Sequence, residues 1–133
     1  MDTSGLYALA DHRAPSRAAA ERTVARLLKS GVGFVLTDYI IDEGCTLAKN
    51  RGGSYGALRL LEIIERSEAF RLVWVGPERF ELAKSFFRKH SDHGYSFTDC
   101  TSFVVMNELG IGDALTTDRY FVEAGFRPLL PMS

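Results

Sequence analysis

The chain has 133 residues, enough for one domain whose core needs neither disulfides nor a structural metal. Apolar residues make up 46% and charged residues 25%, the balance of a soluble globular protein, which excludes a disordered or collagenous chain. Sixteen Lys and Arg against seventeen Asp and Glu give a net charge of −1, so no global basic excess argues for nucleic acid. No apolar run approaches the roughly 20 residues that span a bilayer. MDTSGLYALADHR has no basic region ahead of its apolar stretch, so it does not read as a secretory signal, and the cytosol is the expected compartment.

Residues 1–4 read as the end of a strand and residues 5–11 as a short helix. Ser16 is a plausible N-cap for a helix over about 17–30, closed by Gly31. GFVL at 33–36 is a short apolar strand. Thr37 or Asp38 then caps a helix to about residue 50, Gly52-Gly53 breaks it, and a second helix covers about 54–66. RLVWV at 71–75 is strand-like, and Gly76-Pro77 starts a helix running to about residue 90. After the polar HSDHG loop, a helix over about 97–109 stops at Gly110. ALTT at 114–117 is a short strand, a turn of helix follows Asp118 and stops at Gly125, and RPLL at 127–130 is a last edge strand. This alternation predicts a parallel sheet with helices on both faces, whose ligands bind beyond the carboxyl ends of the strands.

Four acids occupy awkward places. Glu43 shares a helical stripe with Tyr39, Ile40 and Leu47, and a carboxylate there needs a partner. A helix-edge residue that reaches water is the bland alternative; Asp42 is rotated away and expected in solvent. Asp99 follows Ser96 at capping-box spacing, which alone accounts for it. Asp118 could be an N-cap, and Asp2 an exposed terminal residue. Asp2 and Asp118 nevertheless both fall at predicted strand ends. If the four meet, they cannot all stay ionised without a counter-charge, and oxygen-only ligands suit Mg²⁺ or Mn²⁺ rather than zinc. Setting these four aside leaves thirteen acids against sixteen bases, an acidic hole in a mildly basic surface.

DTSGLYAL at 2–9, TDYIIDEGCTL at 37–47, SFTDCTSFVVMNELGI at 96–111 and ALTTDRYFVEAGFRPL at 114–129 together resemble the PIN-domain family, most closely its VapC-type toxin ribonucleases. The resemblance implies one domain over 1–133 with an α/β, PIN-like three-layer sandwich: a central parallel sheet of four to five strands with helices on both faces. It implies an Mg²⁺- or Mn²⁺-dependent endoribonuclease, with metal-activated water attacking a phosphodiester. The family's acidic quartet falls on Asp2, Glu43, Asp99 and Asp118, and its supporting hydroxyls on Thr3 or Ser4 and on Thr116. Arg119 is a candidate contact for substrate phosphate. RNA as substrate, a homodimer and a VapB-like antitoxin that sends a basic residue into the acidic site are implied too, with no membrane. One departure is plain: only Met1 precedes Asp2 where relatives carry several apolar strand residues, so a truncated first strand and weakened metal binding are expected, relieved by restoring such residues.

Other features carry less. Cys45 and Cys100 read as small buried hydrophobes, and His90-x-x-His93 as a solvated loop. His12 has no partner in sequence. Arg13, Arg17, Arg22, Arg26 and Lys29 dot one helix and read as a solvated face or as RNA contacts. Phe80, Phe86, Phe87 and Phe103 read as core or dimer interface, and GGSYG at 52–56 as a helix–helix turn. Competing functions are a PIN module that binds RNA or protein without cutting, and a phosphate-accepting signalling domain, which labelling by acetyl phosphate would reveal.

Overall fold

Short apolar runs between capping residues give short strands here. In the computed structural model, which describes residues 1–10 and 14–132, β1 (Phe34–Thr37) pairs in parallel with β2 (Phe70–Val73), Phe34 opposite Phe70 and Thr37 opposite Val73. Strand β3 (Asp113–Ala114) pairs in parallel with β4 (Arg127–Pro128). His12 and Arg13 lie outside the described residues.

Among the described residues these are two separate two-stranded sheets, which corrects the expected central sheet of four to five strands. Helix α1 (Thr3–Ala10) begins at Thr3, so residues 1–4 do not form the expected strand end. The Met1 ammonium donates to the Val35 carbonyl at 2.8 Å and the Asp2 N–H donates to the Leu115 carbonyl at 3.2 Å. One bond to each side ties the two pairs together without a ladder.

Helix α2 spans Arg17–Lys29 and starts after Ser16 as expected, but the Ser16 side chain makes no capping hydrogen bond. In α3 (Asp38–Arg66) the Thr37 hydroxyl accepts from the Ile40 N–H, while Asp38 accepts from the Val75 N–H at 2.8 Å and ties β2's exit to the first turn. The expected break falls at Gly53, whose φ of 74° and ψ of −171° are accessible essentially to glycine alone, so α3 is two helices joined by a kink. Helix α4 (Gly76–Lys89) carries Pro in its first turn, α5 (Phe97–Leu109) ends on left-handed Gly110, and α6 is a short turn at Arg119–Glu123. No helix among the described residues is long and apolar enough to cross a membrane.

Two apolar clusters hold the ends of the site. Leu6 of α1 packs with Leu36, Ile40, Ala48 and Leu60. Phe103 of α5, fully buried, meets Phe86, Tyr95, Phe121 and Phe126 at ring separations of 4.9 to 5.7 Å. Phe80 and Phe87 are more exposed and flank Phe97 instead. Cys100 is buried as expected, but Cys45 is only half-buried, because its stretch of α3 has one side open.

Gly5 lets α1 lie against the segment after β3: a Cβ there would overlap the Leu115 carbonyl oxygen, which is backbone and cannot swing away. Gly5→Ala is expected to lower the unfolding free energy by about 3 kcal/mol, read as a lower urea midpoint at unchanged slope. Gly52→Ala, where a Cβ meets open space, is expected to change it by less than about 1 kcal/mol.

Candidate active site

Asp2 reaches the site from the two-residue segment between the sheets and is only 4% exposed. Its Oδ2 accepts from the Ser4 hydroxyl and from the Thr116 hydroxyl, each at 2.9 Å. Each hydroxyl's single proton is thereby committed, leaving its oxygen to accept. Ser4 accepts from the Thr117 N–H at 3.0 Å and Thr116 from the Asp118 N–H at 2.9 Å. The two backbone donors, two hydroxyls and one carboxylate form a polarised relay in which each bond strengthens the next.

Asp99 sits in the first turn of α5. Its Oδ2 accepts from the Ser96 N–H at 2.9 Å while the Ser96 hydroxyl accepts from the Asp99 N–H at 3.0 Å, a complete capping box. Asp118 is the N-cap of α6 and accepts from the Tyr120 N–H at 2.9 Å through Oδ1. Capping and site placement therefore coincide. Asp2, Asp99 and Asp118 each spend one carboxylate oxygen on the scaffold. The other oxygen of each makes no hydrogen bond among the described residues.

The charges of these carboxylates act on one another. Burial pushes the Asp99 carboxyl up to about 6; the Ser96 N–H opposes this, and the charges of Asp2 and Asp118 add to it. Burial also raises the Asp118 carboxyl, against the Tyr120 N–H, with Asp2, Glu123 and Glu43 raising it further. Glu43 is half-buried on α3 and near enough for its charge to act on Asp118, while Asp42 is exposed. The influence of Glu123 had no signal in the sequence, since α6 is too short for its facing to be read from periodicity.

Thr3 and Ser4 part company. The Thr3 hydroxyl is buried with no partner, and Ser4 alone joins the relay. Arg119 is exposed beside Asp118. His93 is bonded to Glu123 at 3.1 Å and stacks on Tyr95, which docks its loop on α6.

No three His, Cys, Asp or Glu side chains among the described residues converge closely enough to hold a metal ion as they stand. The donor chemistry still fits a hard divalent cation: four carboxylates, no nitrogen or sulfur, and three aspartates each anchored by one oxygen.

The chain is similar in sequence and fold to known proteins. The PIN domain family model matches residues 1–127. The 23S rRNA-specific endonuclease VapC20 of Mycobacterium tuberculosis is 34% identical over 110 residues, covering 82% of this chain and 83% of that protein. The crystal structure of M. tuberculosis VapC20, described as a Sarcin-Ricin loop cleaving toxin, superposes with a TM-score of 0.85 at 30% identity, covering 98% of this chain and 97% of the other.

The raised Asp99 carboxyl has a consequence for stability. Its folded value, about 6, lies above the ordinary 3.8, so the folded state holds the proton more tightly. Stability from this group is therefore greatest below the ordinary value and declines as the pH rises from 3.8 to about 6. Asp99→Asn keeps an oxygen for the Ser96 N–H and removes the charge. In EDTA, the unfolding temperature of the wild type is expected to fall below that of Asp99→Asn across this window and stay below it at neutral pH; parallel curves would contradict the assignment.

Proposed function

Because the chain belongs to the PIN-domain family, we propose that it is a VapC-like toxin endoribonuclease. The observation that carries the proposal is the anchored set of aspartates. Asp2, Asp99 and Asp118 are each fixed by one oxygen, and burial, with the neighbouring carboxylates adding to it, raises the carboxyls of Asp99 and Asp118. Such a set is costly for the fold alone and suited to a cation.

In this reading Asp2, Asp99, Asp118 and Glu43 hold Mg²⁺ or Mn²⁺. When bound, such an ion activates water and offsets charge on the attacking and leaving oxygens of a phosphodiester. The chain's own part is positional. Ser4 and Thr116 fix Asp2, Ser96 fixes Asp99, and the Tyr120 N–H fixes Asp118. Arg119, exposed beside Asp118, is placed to meet a substrate phosphate. The protein named as a relative acts on 23S rRNA, which makes ribosomal RNA the first substrate to test here. A VapB-like antitoxin, with a basic residue entering the acidic corner, and a homodimer complete the proposal; an Arg there would pair bidentately with carboxylates. In this reading the protein works in the cytoplasm, where such RNA lies.

The test is cleavage of a mixed RNA pool and of ribosomal RNA with Mn²⁺, Mg²⁺ or EDTA. Wild type is expected to cut only with metal. Asp99→Asn is expected to lose about 100-fold or more, and Thr116→Val, which withdraws a supporting hydroxyl, about 10- to 100-fold. Equal cutting by wild type and Asp99→Asn would refute the site. Failure of the wild type to cut, with RNA still bound, would instead indicate a binding module.

A further inference from the structure

Four carboxylates repel the phosphates of RNA, so a ribonuclease built on them needs compensating charge close by; the inference below rests on that reading. Between Glu43 and Glu62 the sequence carries Lys49, Arg51 and Arg59 and no acid. Residues 49–55 are all exposed and include the Gly53 kink. Tyr55 stands 77% exposed on it, too open to contribute to a core.

The structure adds a contact that the sequence does not show. The Arg51 guanidinium lies over the Tyr7 ring, 5.0 Å from its centroid. Tyr7 is one turn beyond Ser4 on α1. Helices α1 and α3 leave the acidic site side by side, packed through Leu6, Ile40 and Leu60, with Gly44 admitting the Leu6 side chain. At 1.5 Å per residue, Tyr7 lies roughly 8 Å along α1 from Asp2, and Arg51 roughly 12 Å along α3 from Glu43. Among the described residues no carboxylate pairs with Lys49 or Arg51.

We infer that the α3 kink, through Arg51 and Tyr55 with Tyr7 beneath Arg51, is a contact surface for single-stranded RNA flanking the phosphodiester held at the acids. A guanidinium held over a ring face keeps N–H donors for phosphate. Tyr55 offers a face on which a base stacks without regard to sequence.

The test measures binding of a short labelled single-stranded RNA to the full chain, in EDTA so that nothing is cut, across a salt series. Arg51→Gln is expected to weaken binding roughly tenfold and to make the plot of log affinity against log salt shallower by about 0.7. Tyr55→Ala is expected to weaken binding about fivefold or more with the slope unchanged. Arg51→Lys is expected to keep the slope and still lose affinity, because an ammonium lacks the guanidinium's planar fork of donors. Arg66→Gln, at the far end of α3 and paired with Glu62, is the control that changes neither. Wild type that cuts RNA, with Arg51→Gln and Tyr55→Ala binding as tightly as wild type, would overturn this surface and leave the ribonuclease reading standing. Wild type that neither binds nor cuts RNA would overturn both. Variants that bind RNA normally but lose a co-purifying protein would assign the surface to that partner and overturn the inference.

Discussion

The constraint on which the rest of the structure depends is the placing of the buried Asp2 carboxylate between the two strand pairs. Met1 bonds toward β1 and Asp2 toward the segment after β3, so the backbone of this pair is committed to both sides. The carboxylate is left to the hydroxyls of Ser4 and Thr116, which lie on different elements. Through Thr116 the same network reaches the Asp118 N–H and sets where α6 begins. Gly5 permits the approach of α1 that brings Ser4 into range. Strand pairing, helix start and site geometry are thus consequences of one buried acceptor that must be satisfied.

The aspartates are used twice. A carboxylate has two oxygens and several acceptor positions, so one oxygen can cap a helix or close a relay while the other stays available. A capping aspartate gains stability from its backbone donor, which partly offsets the desolvation that burial imposes. At Asp99 the donors lower the carboxyl and burial raises it, with burial the larger. The corner is therefore left with a deficit of positive charge that backbone N–H groups do not cancel. Rigidity comes from beneath: the aromatic cluster around Phe103 lies under the helix that carries Asp99 and beside the one that Asp118 caps. A loose corner would relax its carboxylates apart, whereas this one cannot do so without repacking rings.

Features fixed by local chemistry were legible in the sequence. The Ser96–Asp99 box, the Thr37 cap, the stop at Gly110 and the break at Gly52-Gly53 depend on residues within a turn of one another, and the structure has them all. The sheet was not legible in the same way, because the length of a ladder is a property of its partners. The apolar runs at 71–75, 114–117 and 127–130 pair for only part of their length, in two separate sheets among the described residues. The choice between Thr3 and Ser4 turned on the phase of α1: with the helix beginning at Thr3, that side chain faces inward and its neighbour faces Asp2. The contact of Tyr7 with Arg51 had no local signal at all, since it joins two helices distant in sequence.

A near-neutral total charge conceals an uneven distribution, and distance decides what that distribution can do. At physiological ionic strength the screening length is about 8 Å. Arg51 at the α3 kink stands roughly 12 Å along its helix from Glu43. At that separation neither set cancels the other through solvent, so the acidic corner keeps its demand for a cation while the kink keeps its attraction for an anion. A polyanion approaching this side meets no long-range pull, because the chain as a whole is at −1. Selection among RNAs must then come from contact, through stacking on exposed rings and the fit of a strand between the kink and the acids, rather than from the field of the whole protein.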